Sequence, residues 1–107
     1  MPEVKIPADL EGQKAVITGA SKGLGAAVAI GLARAGADVL VNYFSDKTGA
    51  EEVAASIREF GGRAAIHGSD VAVEEQVTDM FATAISEFGR IDICVPNSGI
   101  QLNAPFH

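Results

Sequence analysis

The chain has 107 residues, 48% of them hydrophobic, enough for one packed domain or a piece of one. A formal charge of −6, with eight scattered basic residues, excludes the basic surface that a nucleic-acid or anionic-membrane binder needs. Cys94 is the single cysteine, which excludes an internal disulfide.

In chain order, residues 14–18 read as a first strand and 23–35 as a helix, followed by a Val- and Leu-rich strand over 37–42. A second helix is expected over 46–60, with Val53, Ile57 and Phe60 on one face and Gly61-Gly62 closing it. A third strand covers 63–67. The third helix, 73–88, turns Val77, Phe81, Ala84, Ile85 and Phe88 inward and Glu74, Glu75, Asp79 and Glu87 outward. Gly89 ends it, and 91–95 makes a fourth strand in which Cys94 reads as a small buried hydrophobe. Continuous apolar strands separated by amphipathic helices imply an α/β fold, a parallel sheet covered on both faces. Right-handed crossovers then give the strand order 3-2-1-4, the first half of a doubly wound Rossmann-type fold. Residues 1–107 thus read as a single, truncated dinucleotide-binding domain. No apolar run reaches membrane-spanning length and no charged-then-apolar leader opens the chain, so the expectation is a soluble, cytoplasmic protein without a membrane partner.

Between the first strand and the first helix lies Thr18-Gly19-Ala20-Ser21-Lys22-Gly23-Leu24-Gly25. Gly19 lets the backbone leave the strand sharply, while Gly23 and Gly25 remove side chains that would hold a diphosphate away from the helix N-terminus. Unpaired amides and the positive end of the helix dipole favour an anion there. The spacing is T-G-x-x-x-G-x-G, not the common G-x-G-x-x-G, whose third glycine would fall at Val28.

Together with Asp70-Val71 after the third strand and Pro96-Asn97-Ser98-Gly99 after the fourth, this turn resembles the short-chain dehydrogenase/reductase family. Within it, the chain is most similar to sugar-alcohol dehydrogenases and 3-oxoacyl reductases. The resemblance implies an NAD(P)-dependent oxidoreductase acting on CH–OH or carbonyl groups. It places the pyrophosphate on Gly19, Gly23, Leu24 and Gly25, and Ser21 and Lys22 beside the adenosine ribose. Asp70 would accept from the adenine amino group, Val71 would pack on the ring, and Asn97, Ser98 and Gly99 would line the strand end. Read alone, Asp70 is equally a solvent-facing carboxylate before a helix. Two positions depart from the family pattern: Pro96, expected to loosen the end of the fourth strand, and Ala72, where relatives carry a capping side chain.

Cofactor choice is read at Val41-Asn42-Tyr43-Phe44-Ser45, where Tyr43 and Ser45 join the cofactor-binding set and no acid occurs before Asp46. With Lys22 supplying a cation beside the same place, NADP is favoured over NAD, although Phe44 stands where NADP-preferring relatives often carry arginine.

The resemblance also implies a catalytic serine, a tyrosine and a lysine four residues after it. The one tyrosine is Tyr43, and its Tyr-x-x-x-Lys match to Lys47 lies on the adenosine side of the crevice, so it reads as accidental and no catalytic residue is assigned. Neither His67, a half-buried sheet residue by pattern, nor His107 has metal-ligand company. The expectation is the N-terminal half of a reductase, inactive by itself, with an open fourth-strand edge available for self-association. Two other readings stay open: a non-catalytic dinucleotide-binding module, and a different α/β adenosine binder such as a methyltransferase-like protein.

Overall fold

Apolar residues cluster at strand spacing and then at helical spacing, and the backbone follows them. The structure, a computed structural model, describes residues 9–97. Its elements are β1 (Lys14–Ile17), α1 (Gly23–Arg34), β2 (Asp38–Tyr43), α2 (Lys47–Glu59), β3 (Ala64–Gly68), α3 (Glu74–Phe88) and β4 (Ile93–Val95). The strands form one four-stranded parallel sheet in the expected order β3-β2-β1-β4. In register, Val16 lies between Leu40 and Cys94, and Ile17 between Val41 and Val95.

Both sheet faces are covered, which is why the strands are apolar without alternation. On one face Ala15, Ile17, Val39, Val41 and Ala64 pack against Ala26, Ala29 and Ala33 of α1 and against Ala50, Val53 and Ile57 of α2. The alanines bring the α1 backbone close to the sheet. On the other face Val16 and Leu40 meet Val77, Met80, Phe81, Ala84 and Phe88 of α3.

Three expectations are corrected. Phe60 is exposed, because it is the C-cap residue of α2 and has left the helical register; its ring lies 5.3 Å under the Arg34 guanidinium. Ile85 is also exposed: Met80, Phe81, Ala84 and Phe88 already fill the buried stripe of α3, and Ile85 falls beside it. The fourth strand starts at Ile93 and not at 91. Just before it, the Asp92 carboxylate accepts from the Lys14 amide at 2.9 Å while the Asp92 amide donates to the Lys14 carbonyl at 2.8 Å. The Lys14 amide, seconded by the Arg90 guanidinium at 3.0 Å, holds the Asp92 carboxyl below its ordinary range. Cys94 is half-buried, since β4 is an edge strand, and burial pushes its thiol up.

Candidate functional site

The carboxyl ends of all four strands converge on the turn between β1 and α1. Gly19 has φ +60°, a left-handed conformation suited to glycine. Its amide donates to Asn42 Oδ1 at 3.0 Å, its carbonyl accepts from Asn97 Nδ2 at 3.2 Å, and the next amide, of Ala20, donates to the Asn42 carbonyl at 2.9 Å. Both backbone groups of Gly19 are therefore used inside the protein, and its part is to shape the bend. Gly23 has φ +61°, and a Cβ built there meets nothing within 4 Å, so the surface above it is open. Gly25 differs. A Cβ there would overlap the Asn97 side chain and the Gly19 carbonyl, which corrects the expectation that Gly25 makes room for a diphosphate; it makes room for the protein.

The amides of Gly23, Leu24 and Gly25 open α1 and have no acceptor within the helix. Lys22 occupies the N-cap in an extended conformation without a side-chain cap, and no acid stands in the first turn. The other two helices differ. Asp46 accepts the Gly49 amide at 3.0 Å and caps α2, while α3 carries Glu74 and Glu75 in its first turn. Of the three helix starts among the described residues, only that of α1 has neither a side-chain cap nor an acidic residue in its first turn. Lys22 and Leu24 are exposed and Ser21 is half-buried beside them.

Asn97 closes the neighbouring wall, its amide donating to Thr18 Oγ1 at 2.9 Å and its side chain to Gly19 as above. Pro96 does not loosen this end: the Thr18 amide still reaches the Val95 carbonyl at 3.0 Å. Ser98 and Gly99 lie outside the described residues.

At the end of β3, Asp70 Oδ1 accepts from the Ala72 amide at 2.9 Å, and the Asp70 amide donates to Gln76 Oε1 at 2.7 Å. These two bonds tie the loop before α3 to its first turns, although the N-cap residue Val73 itself gives no side-chain cap. Val71 is only 8% exposed and packs between the sheet and α3.

Beyond β2, Phe44 and Ser45 are exposed, and Tyr43 is half-buried with its ring over Gly68, where a Cβ would lie 2.7 Å from it.

Sequence reasoning missed Asn42, which is 1% exposed in the middle of this site. Its Nδ2 lies 2.7 Å from Ser69 Oγ and 3.3 Å from the carbonyls of His67 and Ser69. A buried side-chain amide needs partners, so an asparagine in an otherwise apolar central strand was the available signal. Among the described residues, no group of three His, Cys, Asp or Glu side chains could hold a metal ion, and no helix is long and apolar enough to cross a membrane.

Residues 13–107 match the short chain dehydrogenase family. The chain belongs to that family. Its relatives include 3beta-hydroxysteroid dehydrogenase 1 of Eggerthella lenta, 45% identical over 97 residues that cover 91% of this chain and 37% of that protein. Glucose 1-dehydrogenase 2 of Bacillus subtilis is 42% identical over 93 residues, 87% of this chain and 36% of the relative. Among solved structures, a short chain dehydrogenase from Burkholderia cenocepacia in complex with NADP superimposes with a TM-score of 0.83 at 39% identity, covering 86% of this chain and 38% of that one. The chain thus spans less than two-fifths of the length of these family members.

Proposed function

We propose that this chain is the cofactor-binding part of an NAD(P)-dependent oxidoreductase acting on CH–OH or carbonyl groups. The observation that carries the reading is the start of α1, where three amides lack helical acceptors, the first turn holds no acidic residue and the surface at Gly23 is open. These groups fit a diphosphate. Gly23, Leu24 and Gly25 would hold it through their amides, Gly19 would shape the bend, and Ser21 and Lys22 would stand beside the adenosine ribose, with Tyr43 and Ser45 on its far side. Asp70, Val71, Asn97, Ser98 and Gly99 would complete the wall. The nicotinamide would give or take the hydride, and this chain's own residues bind and orient the dinucleotide. With Tyr43 held against Gly68, the chain of 107 residues is expected to bind without turnover.

NADP is favoured over NAD. Asp46, the first acid after β2, is committed to capping α2, and Lys22 is exposed at the rim. The complex of the Burkholderia cenocepacia relative with NADP supports the same choice. Titration with NADPH and NADH, read by cofactor fluorescence, should show tighter binding of NADPH. Lys22→Ala should shrink that preference by about two- to fivefold, the scale of one exposed charge contact. Equal affinities, unmoved by Lys22→Ala, would overturn the NADP assignment; no binding of either would overturn the cofactor reading.

A further inference from the structure

Two segments of the site come from different strands: the turn after β1 and the stretch Ser69-Asp70 after β3. One buried side chain touches both. Asn42 Oδ1 accepts from the Gly19 amide at 3.0 Å, and Asn42 Nδ2 donates to Ser69 Oγ at 2.7 Å and to the Ser69 carbonyl at 3.3 Å. The Ser69 side continues outward. Its hydroxyl lies 3.3 Å from His67 Nδ1, and His67 Nε2 lies 2.8 Å from Asp79 Oδ2 on the exposed face of α3.

The directions are set by chemistry. The Asp79 carboxylate can only accept, so His67 Nε2 donates to it, and the Ser69 hydroxyl meets the other ring nitrogen. The Ser69 oxygen then has lone pairs left for Asn42, and each bond polarises the next. The serine, histidine and aspartate share the composition of a hydrolase triad, but Ser69 is 4% exposed and its oxygen already bonds Asn42. No substrate carbonyl could reach it. The network holds backbone in place.

We infer that Asn42 and Ser69 are positioning residues that fix the spacing between the diphosphate turn and the adenine end of the cofactor site. The inference rests on the cofactor reading above. A ligand that contacts only the turn needs the bend at Gly19; one that spans both segments also needs the distance between them.

Ser69→Ala is the informative variant. It removes one hydroxyl and leaves Asn42 Nδ2 its carbonyl acceptors at 3.3 and 3.4 Å, so the fold has other support. NADPH and, by competition, ADP should bind roughly three- to tenfold more weakly, the scale of one hydrogen bond. Inorganic pyrophosphate, which lacks adenosine, should compete as before. Asn42→Ala should weaken ADP and pyrophosphate together, and adding Ser69→Ala to it should change little further, since both act through one bond. Without any ligand, hydrogen exchange of the Gly19 amide should quicken several-fold in Ser69→Ala. Equal weakening of ADP and pyrophosphate in Ser69→Ala, in step with a lower melting temperature, would overturn the inference in favour of a purely structural role. So would unchanged affinities with unchanged Gly19 exchange. Absence of NADPH binding by the unaltered chain would instead overturn the cofactor reading, with Gly19 exchange still deciding whether the two segments are coupled.

Discussion

Side chains added at Gly23 and at Gly25 should fail for different reasons. At Gly25 a Cβ meets Asn97 and the Gly19 carbonyl, one of them backbone, so the turn or the Asn97 wall must move. Overpacking of this kind costs about 1–3 kcal/mol, and in a domain of this size each kcal/mol lowers the melting temperature by roughly 4–8 °C. At Gly23 there is no clash; the cost is the left-handed φ, about 1 kcal/mol for a side chain. The site effect is reversed in rank. A valine at Gly23 projects from the opening where a diphosphate would sit, next to the free amides of α1. Gly25→Ala should therefore show the larger loss in thermal melting. Gly23→Val should show the larger loss of NADPH affinity per degree of melting lost, tenfold or more if one charge-assisted hydrogen bond goes. Affinity that tracked melting temperature along a single line through both variants would refute the distinction.

At the level of elements, Asp46 separates a structural role from a selective one. It is the first acid after β2 and so stands near the place where family members discriminate between dinucleotides. Yet its carboxylate caps α2 through the Gly49 amide, and Gly49 itself backs onto the Ser21 carbonyl of the glycine turn. Asp46→Ala should cost about 1 kcal/mol, the usual value of an N-cap, while leaving the ratio of NADPH to NADH affinity unchanged. A changed ratio would show that the carboxylate reaches the ribose. The same contrast explains what was legible in the sequence. Strands and helices could be placed to within a residue or two because apolar spacing is set by which faces are buried, and right-handed crossovers within a doubly wound fold led to the order 3-2-1-4. Phe60 and Ile85 were misplaced because spacing alone does not say where a helix ends or how wide its buried stripe is. Asn42 was passed over for a different reason. Its importance lies in partners at Gly19 and at Ser69, some 25 residues away on either side, and no local pattern announces a contact between strands. Gly25 looked like part of a ligand cradle until Asn97, far along the chain, was seen to occupy the space beside it.

On the scale of the whole molecule, the sheet has a paired centre and, among the described residues, two edge strands, β3 and β4. β1 and β2 are paired on both edges, whereas β4 pairs only with β1 among the described residues, and Ile93, Cys94 and Val95 are half-buried as a result. An apolar parallel strand with a free edge is a template for another strand. Opposing this is a net charge of −6, which two copies of the chain would bring together. The range of that repulsion shrinks from about 30 Å at 0.01 M salt to about 8 Å at 0.15 M. Self-association should therefore be weak at low ionic strength and grow with added salt, visible as a rising sedimentation coefficient at fixed protein concentration. Reducing agent should make no difference, because burial pushes the Cys94 thiol up and keeps it from the reactive thiolate form. Val95→Lys would place a buried-face charge at the same edge and should suppress the salt-dependent step. A monomer at every salt concentration would show that the edge is protected, and dimers that vanish with reductant would assign the contact to Cys94 and not to the strand.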